Sequence, residues 1–456
     1  MSQLTNETYS SLEAVLLGAG NRGYGVYGAW ALEHPDKLRF VAVADPDPSK
    51  RERFVREHGI APERCFSSWQ DLLEQPQFAP ALVNALPDPL HEESAVRALE
   101  RGYHQLLEKP LAHTLEGGIR IARAAQESGK VLMLGYVLRF TPFFRTLKRI
   151  LASGELGQIV TVMWRENVAS THYAHSYVRG NWGVQSRSSP FVLAKSSHDL
   201  DLMGWLLGSR VKVVSSFGNL LHFRAENAPK GAPQRCLDGC PAENTCPYHV
   251  KHIYLTPNIG WPTHVISTDL TLEGRMRALE HGPYGRCIYH ADNDVPDHQV
   301  ASLLFENGVT ATFTVHGHSA EEGRTLRIDG QGHAARDVWC QQATPAARAT
   351  RRSLCCGGNC PRVRTRNVWR RARWWRRGFV RRLRQRRTEG TNSTAQGLSG
   401  KSVAGLRARG SEVKRSGGGF SGVSLEGRSV GVRSRTAWKG AKRNLLSIHL
   451  KNRNKV

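Results

Sequence analysis

Acidic residues nearly vanish from the last quarter of this 456-residue chain: residues 331–456 hold 4 Asp+Glu against 31 Lys+Arg, whereas residues 1–330 hold 35 against 33. The net charge of +25 therefore belongs to a tail, and it does not make the first 330 residues a nucleic-acid-binding surface. Long apolar runs are missing as well. No stretch approaches the roughly 20 apolar residues that span a bilayer. The polar N-terminus lacks the basic-then-apolar order of a secretory signal. These absences predict a soluble cytoplasmic protein with no membrane association. Cysteine is sparse, with five residues in the first 330 and four in the tail. A reducing compartment argues against a disulfide framework, so a cysteine cluster reads first as a metal site.

What is present in residues 1–330 is ordinary globular composition: mixed charge, spaced glycines and enough apolar residues to bury a sizeable core. Toward its end the chain reads as a strand ladder, His298–Phe305, Val309–His316 and Thr325–Asp329, with the turn Glu306-Asn307-Gly308 between the first two. Past Gly330 the periodicity fades and Arg, Ser, Gly and scattered Trp take over, most densely at residues 369–387. Three readings fit this tail. It is a basic arm for nucleic acid, with Arg on phosphates and Trp on bases; or a basic, Trp-rich membrane-surface segment; or the out-of-frame translation of GC-rich coding DNA, the reading we favour. In each case it is too polar to offset the entropy of ordering, and disorder is expected.

Near the start, the short strand Glu13–Leu17 runs into Gly18-Ala19-Gly20-Asn21-Arg22-Gly23, then a helical stretch, then the strand Leu38–Ala44 ending at Asp45, 22 residues after Gly23. Strand, G-x-G-x-x-G, helix, strand and acid together form a dinucleotide fingerprint. Gly18 permits a tight turn, Gly20 admits a pyrophosphate, Gly23 allows helix–strand packing, and the helix N-terminus offers unpaired N–H groups to the anion. Asp45 suits the ribose hydroxyls and repels a 2′-phosphate, so NAD is expected; Arg22 keeps NADP open. Strands and helices go on alternating to residue 135, which predicts a doubly wound parallel sheet. Ligands on such sheets bind beyond the carboxyl ends of the strands, where Asn84-Ala85-Leu86-Pro87, Glu108-Lys109-Pro110 and Gly135-Tyr136-Val137 fall.

Glu108-Lys109-Pro110 after a buried strand, with the glycine fingerprint and Asp45 before it, resembles the Gfo/Idh/MocA family of oxidoreductases, the glucose–fructose oxidoreductase and inositol dehydrogenase group. The likeness continues through residues 136–142 (Tyr-Val-Leu-Arg-Phe-Thr-Pro), 154–159 (Gly-Glu-Leu-Gly-Gln-Ile) and Ser197-His198-Asp199-Leu200-Asp201, and covers about residues 12–330. It implies a short N-terminal extension over residues 1–12, a Rossmann domain over 13–136, and an α/β domain with a large, mostly antiparallel sheet over 137–330. One face of that sheet covers a sugar or polyol substrate and the other makes a homo-oligomer interface.

Carried onto this chain, the resemblance makes Lys109 and His198 the catalytic pair. Leu86, Pro87 and Glu108 join Gly18, Gly20, Asn21, Arg22, Gly23 and Asp45 around the cofactor. Tyr136, Arg139, Lys195 and Asp201 fall to the substrate side. Chemically, a neutral imidazole can take the hydroxyl proton while an ammonium holds the oxygen. One departure stands out: the family places an Asp four residues before the histidine, and here that residue is Ala194, followed by Lys195, which suits an acidic or polyhydroxylated substrate. An NAD-dependent glycosidase-like activity and a non-catalytic dinucleotide sensor are the alternatives.

Within an insertion over residues 222–297, Cys236-x3-Cys240-x5-Cys246 lies between prolines and glycines. Three close thiols suggest a structural zinc site completed by Cys287, His249 or His290. Zinc is expected over an iron–sulfur cluster, for which only Cys287 could supply the fourth thiolate.

Overall fold

The computed structural model describes residues 11–331 and 337–343. Two six-stranded sheets organise it. The first contains β1 (Leu12–Leu17), β2 (Leu38–Ala44), β3 (Cys65–Phe66), β4 (Ala81–Asn84), β5 (His104–Leu107) and β6 (Leu132–Leu134) in the spatial order 3-2-1-4-5-6, every pair parallel. That is the doubly wound order expected from the alternation of strands and helices. The inner strands read as continuous apolar runs because helices cover both faces: Ala14 to Leu17 and Ala42 to Ala44 are almost wholly buried. Helices Pro48–His58 and Leu115–Ser128 start on the side chains of Asp47 and Thr114 and stop at left-handed Gly59 and Gly129, so each carries its start and stop signals locally.

The second sheet holds β7 (Ile159–Ala169), β8 (Val211–Asn219), β9 (His298–Phe305), β10 (Thr310–Ser319), β11 (Gly323–Gly330) and β12 (Asp337–Ala343), in the order 12-11-7-10-9-8. All its pairings are antiparallel except β7 with β10. Inward residues of β7, Val162, Trp164 and Val168, meet Ala301, Leu303, Phe313 and the helices Pro142–Ala152 and Ser197–Leu207 in the largest core of the chain. The expected tail boundary at Gly330 needs adjustment, because Asp337–Ala343 pairs along β11 and covers its outer edge. The rest of the basic tail, with its nucleic-acid, membrane and frame readings, lies outside the described residues, as does most of the N-terminal extension. No helix among the described residues is long and apolar enough to cross a membrane.

Candidate active site

The glycine turn behaves as its residue types require. Gly18 has φ +85°, and a Cβ there would stand 2.7 Å from the Ala85 carbonyl oxygen on the neighbouring strand. A Cβ on Gly23 would lie 1.8 Å from the Gly18 carbonyl oxygen, so the helix can sit on the strand only without one. At Gly20 nothing lies within 4 Å of that position. The backbone there faces open space, as a pyrophosphate seat requires. The helix enters through a wide π-type turn, Gly23–Gly28.

Asp45 closes the turn from below. Its carboxylate accepts from the N–H of Ala19 at 2.7 Å and of Asp47 at 2.9 Å. Arg22 leans across to β5, where its Nε donates to Glu108 Oε1 at 2.7 Å and Tyr27 donates to the same oxygen. Burial opposes ionisation of Glu108, but Arg22, Tyr27 and Lys109 outweigh it and hold the carboxyl below its ordinary value. The buried His91 ties two neighbouring loops together, with one ring nitrogen 2.9 Å from the Leu86 carbonyl and the other 2.7 Å from that of Pro110. Asn21 meets the insertion, its Oδ1 3.1 Å from His264 Nε2. Pro87 precedes Asp88 on the loop after β4.

Glu108 and Lys109 follow β5, and the next bond, Lys109–Pro110, is cis. Lys109 Nζ donates to the Ala194 carbonyl at 2.7 Å and stands over the Trp182 ring. The position where the family places an aspartate thus meets the lysine through its backbone oxygen. Burial lowers the Lys109 pKa, against the pull of Asp88 and Glu108. His198 opens the helix Ser197–Leu207, edge-on to Tyr136, with its buried Nδ1 unpartnered. Burial first, then the positive field of Lys109 and Arg324, presses its pKa well below 6.5. This imidazole is neutral at physiological pH and has a ring nitrogen to spare, as a proton acceptor needs. Were His198 the proton acceptor, its protonation would stop the reaction only well below pH 6.5. The kcat/KM profile should keep its plateau as pH falls through 6.5, and an acid limb centred at or above that value contradicts the assignment.

Sequence spacing missed the polar network beneath this pair. Lys195 Nζ lies 3.2 Å from Glu166 and 3.6 Å from Glu322. Arg324 reaches Glu166 at 2.7 Å and Asp199 at 2.6 Å, and Trp164 Nε1 donates to Asp199 at 2.8 Å. His172 Nδ1 pairs with Glu322 at 2.6 Å, and Trp261 stands edge-on to His172. Burial pushes the Glu166 carboxyl up, against Arg324; Glu166 and Glu322 hold the Lys195 ammonium up against its own burial. Tyr177 is kept protonated by burial and by the nearby carboxylates of Glu322 and Asp88. One signal was available: Glu166 occupies an inward position in the alternation of Val162, Trp164 and Val168, where a charge is out of place unless paired.

Two expected substrate residues go elsewhere. Arg139 and Asp201 bind each other through two hydrogen bonds, one of 2.7 Å from Nε, linking the turn Val137–Phe140 to the helix Ser197–Leu207. Lys195 is engaged by Glu166, which it shares with Arg324, and by Glu322, so it is not an unpaired cation.

The expected zinc ligands converge only in part. Cys236, Cys240, Cys246, Cys287 and His249 line one cavity, all four thiols free. His249 turns Nε2 to the Cys236 carbonyl and His290 turns Nε2 to that of Ala232. Among the described residues, no three His, Cys, Asp or Glu side chains are arranged to hold a single metal ion. The single-zinc expectation is not supported, and both candidate histidines are turned to backbone carbonyls instead.

Comparison with known proteins agrees with this geometry. Residues 12–136 match the oxidoreductase family with NAD-binding Rossmann fold, and residues 144–233 match the GFO/IDH/MocA C-terminal domain. The chain is 23% identical over 329 residues to the putative oxidoreductase YteT of Bacillus subtilis, covering 69% of this chain and 74% of that protein. It is 30% identical over 171 residues to an inositol 2-dehydrogenase of Ralstonia nicotianae, covering 37% of this chain and 47% of that one. The chain thus spans about half the length of that inositol dehydrogenase. The WlbA dehydrogenase of Bordetella pertussis, solved in complex with NADH and UDP-GlcNAcA, shares the fold with a TM-score of 0.51 at 21% identity, over 73% of this chain and 75% of that one. With both domain signatures in order, and with glycine turn, lysine and histidine gathered at the carboxyl ends of the first sheet, this chain belongs to the Gfo/Idh/MocA family of NAD-binding oxidoreductases.

Proposed function

We propose that the protein is an NAD-dependent dehydrogenase that oxidises a hydroxyl of a sugar, inositol or related polyol. The observation that carries this reading is the buried His198 with an unpartnered ring nitrogen, set in the same charged cluster as Lys109 at the cofactor end of the sheet. His198 accepts the hydroxyl proton, and Lys109 orients the oxygen and stabilises negative charge on it as the proton leaves. A bound nicotinamide supplies the hydride acceptor. Open space at Gly20 and the carboxylate of Asp45 beside the turn fit a dinucleotide there. NAD is favoured over NADP because Asp45 repels a 2′-phosphate and Arg22, the cation of the turn, is engaged by Glu108.

Asp88, His172, Tyr177, Lys195 and Glu322 offer hydrogen bonds of both signs, and Trp182 and Trp261 add aromatic faces. With Lys195 paired to carboxylates, this lining suits a neutral polyhydroxylated ring. The test is to incubate the purified protein with NAD and a panel of inositols and sugars and follow NADH absorbance. NADH formation with at least one polyol is expected, and none with any of them defeats the reading. A nitrophenyl glycoside turned over without net NADH would favour the glycosidase-like alternative. Free thiols throughout the described residues accord with a reducing cytoplasm.

The same reading assigns the outer face of the second sheet to a copy of this chain. The registers Phe217↔Val300 and Val213↔Leu304 place these four on one face. They are exposed, as is Met163 on β7, and Phe217 retains 63% of its surface. Phe217→Asp should shift the protein to monomer in sedimentation or gel filtration while NAD still binds. An unchanged assembly, or a wild type that is already monomeric, contradicts this assignment.

A further inference from the structure

A segment of the insertion, residues 261–268, runs along the candidate cofactor groove and touches it at both ends and in the middle. At one end Trp261 stands edge-on to His172, with ring centroids 4.8 Å apart, on the side of Glu322 and Lys195. In the middle His264 Nε2 lies 3.1 Å from Oδ1 of Asn21, the residue after Gly20 in the glycine turn. At the other end Thr268 Oγ1 stands 3.5 Å from Ser49 Oγ. Ser49 donates to Asp47, whose own N–H donates to Asp45. The contacts therefore fall at the substrate side, the pyrophosphate seat and the ribose acid, in the order in which a dinucleotide lies across such a sheet.

The backbone of this segment is held from behind by the insertion itself. Thr263 is buried, and its hydroxyl donates to the Ile253 carbonyl at 3.4 Å. Ile266 packs against the small core of Cys236, Val250, Tyr254 and Leu279. Across the groove only side-chain ends meet, and His264, Thr268, Asn21 and Ser49 are all exposed. An amide oxygen can only accept, so His264 Nε2 carries a hydrogen and donates it toward the turn. The turn has little charge of its own to offer an anion, because Arg22 is engaged by Glu108. The helix N-terminus meets a pyrophosphate from one side, and His264 stands on the other. A hydrogen bond to an ionised oxygen is roughly twice as strong as one to a neutral amide, so a phosphate oxygen outcompetes Asn21 for this donor.

We propose that His264 is a cofactor-binding residue supplied by the insertion, donating its Nε2–H to the pyrophosphate of the dinucleotide, and that residues 261–268 form an outer wall that slows the escape of the cofactor. The proposal rests on a dinucleotide lying across the glycine turn. It completes that turn with a side chain 243 positions away, on the second domain. Cofactor release is thereby tied to the insertion, while the hydride and proton steps stay with the groups already described.

The test reads binding, not turnover, and uses the full chain. NADH and ADP-ribose, which keeps the pyrophosphate and lacks the nicotinamide, are titrated into the wild type, His264→Ala and His264→Gln. NADH release is timed by stopped-flow fluorescence on mixing with excess ADP-ribose. His264→Ala should weaken both ligands about ten-fold and speed NADH release by a similar factor. His264→Gln keeps an N–H donor and should come within about three-fold of the wild type. A loss confined to NADH moves His264 to the nicotinamide end and overturns the pyrophosphate assignment. Unchanged affinity and release in His264→Ala overturn the proposal while the dinucleotide site stands. No uptake of either ligand by the wild type removes the site itself. Hydrogen exchange of the wild type adds a check without any substitution: NADH should slow exchange at residues 261–268 as well as in the glycine turn, and protection of the turn alone contradicts the wall.

Discussion

Replacing Lys109 by Met should lower kcat/KM for polyol oxidation by about 10²–10⁴-fold, a loss of roughly 3–5 kcal/mol of transition-state stabilisation, while NAD still binds. Met keeps most of the aliphatic stem and removes the charged end that stands over the Trp182 ring. What disappears is the amine that donates to the Ala194 carbonyl at 2.7 Å, its pKa lowered by burial against the pull of Asp88 and Glu108. Because the aspartate expected at position 194 is absent, this chain holds its lysine through a backbone oxygen, which a side-chain substitution at 194 cannot abolish. Ala194→Asp therefore tests whether a carboxylate there adds to the machinery or crowds it. Steady-state rates with and without the substitution, beside thermal unfolding to exclude collapse, decide the matter. Activity within ten-fold of wild type after Lys109→Met removes the lysine from the mechanism.

Gly20→Val separates cofactor binding from folding more sharply than any change at the other two glycines. The structure has room for the new side chain, since nothing stands within 4 Å of the Cβ position. The melting temperature should therefore stay within about 2 °C, while the branched side chain fills the seat of the pyrophosphate and NAD affinity falls at least 100-fold. Gly23→Ala gives the opposite contrast, because its Cβ would meet the Gly18 carbonyl oxygen at 1.8 Å and the strand–helix junction has to move. That variant loses stability and cofactor together. A Gly20→Val protein that binds NAD as well as wild type would show that the dinucleotide does not lie across this turn.

How much of the fold and site is legible in the sequence depends on how local each signal is. The glycine turn, Asp45 and Lys109 are legible because a Rossmann crossover carries its chemistry in consecutive residues at strand ends. The polar network beneath Lys109 and His198 is not. Glu166 comes from β7, Arg324 from β11, Asp199 from the helix after Ala194, and Glu322 from the turn before β11, and only the sheet register brings them together. Arg139 and Asp201 look like substrate groups in a linear reading, but 62 positions apart they neutralise each other. The strand Asp337–Ala343 is hidden because the basic composition of the tail masks a short extended run. For the cysteines, spacing alone suggests a metal site, but where Cys287 falls relative to Cys236 depends on the bridge between Arg235 and Arg286, and among the described residues no three ligands converge on one ion.

Titration calorimetry of the full-length protein with NAD, repeated with NADP and with the Gly20→Val protein, bears most directly on the account as a whole. It should give one NAD per chain with a Kd in the micromolar to sub-millimolar range, weaker uptake of NADP, and no measurable heat from the variant. Absence of binding for both dinucleotides to the folded wild-type chain would contradict it.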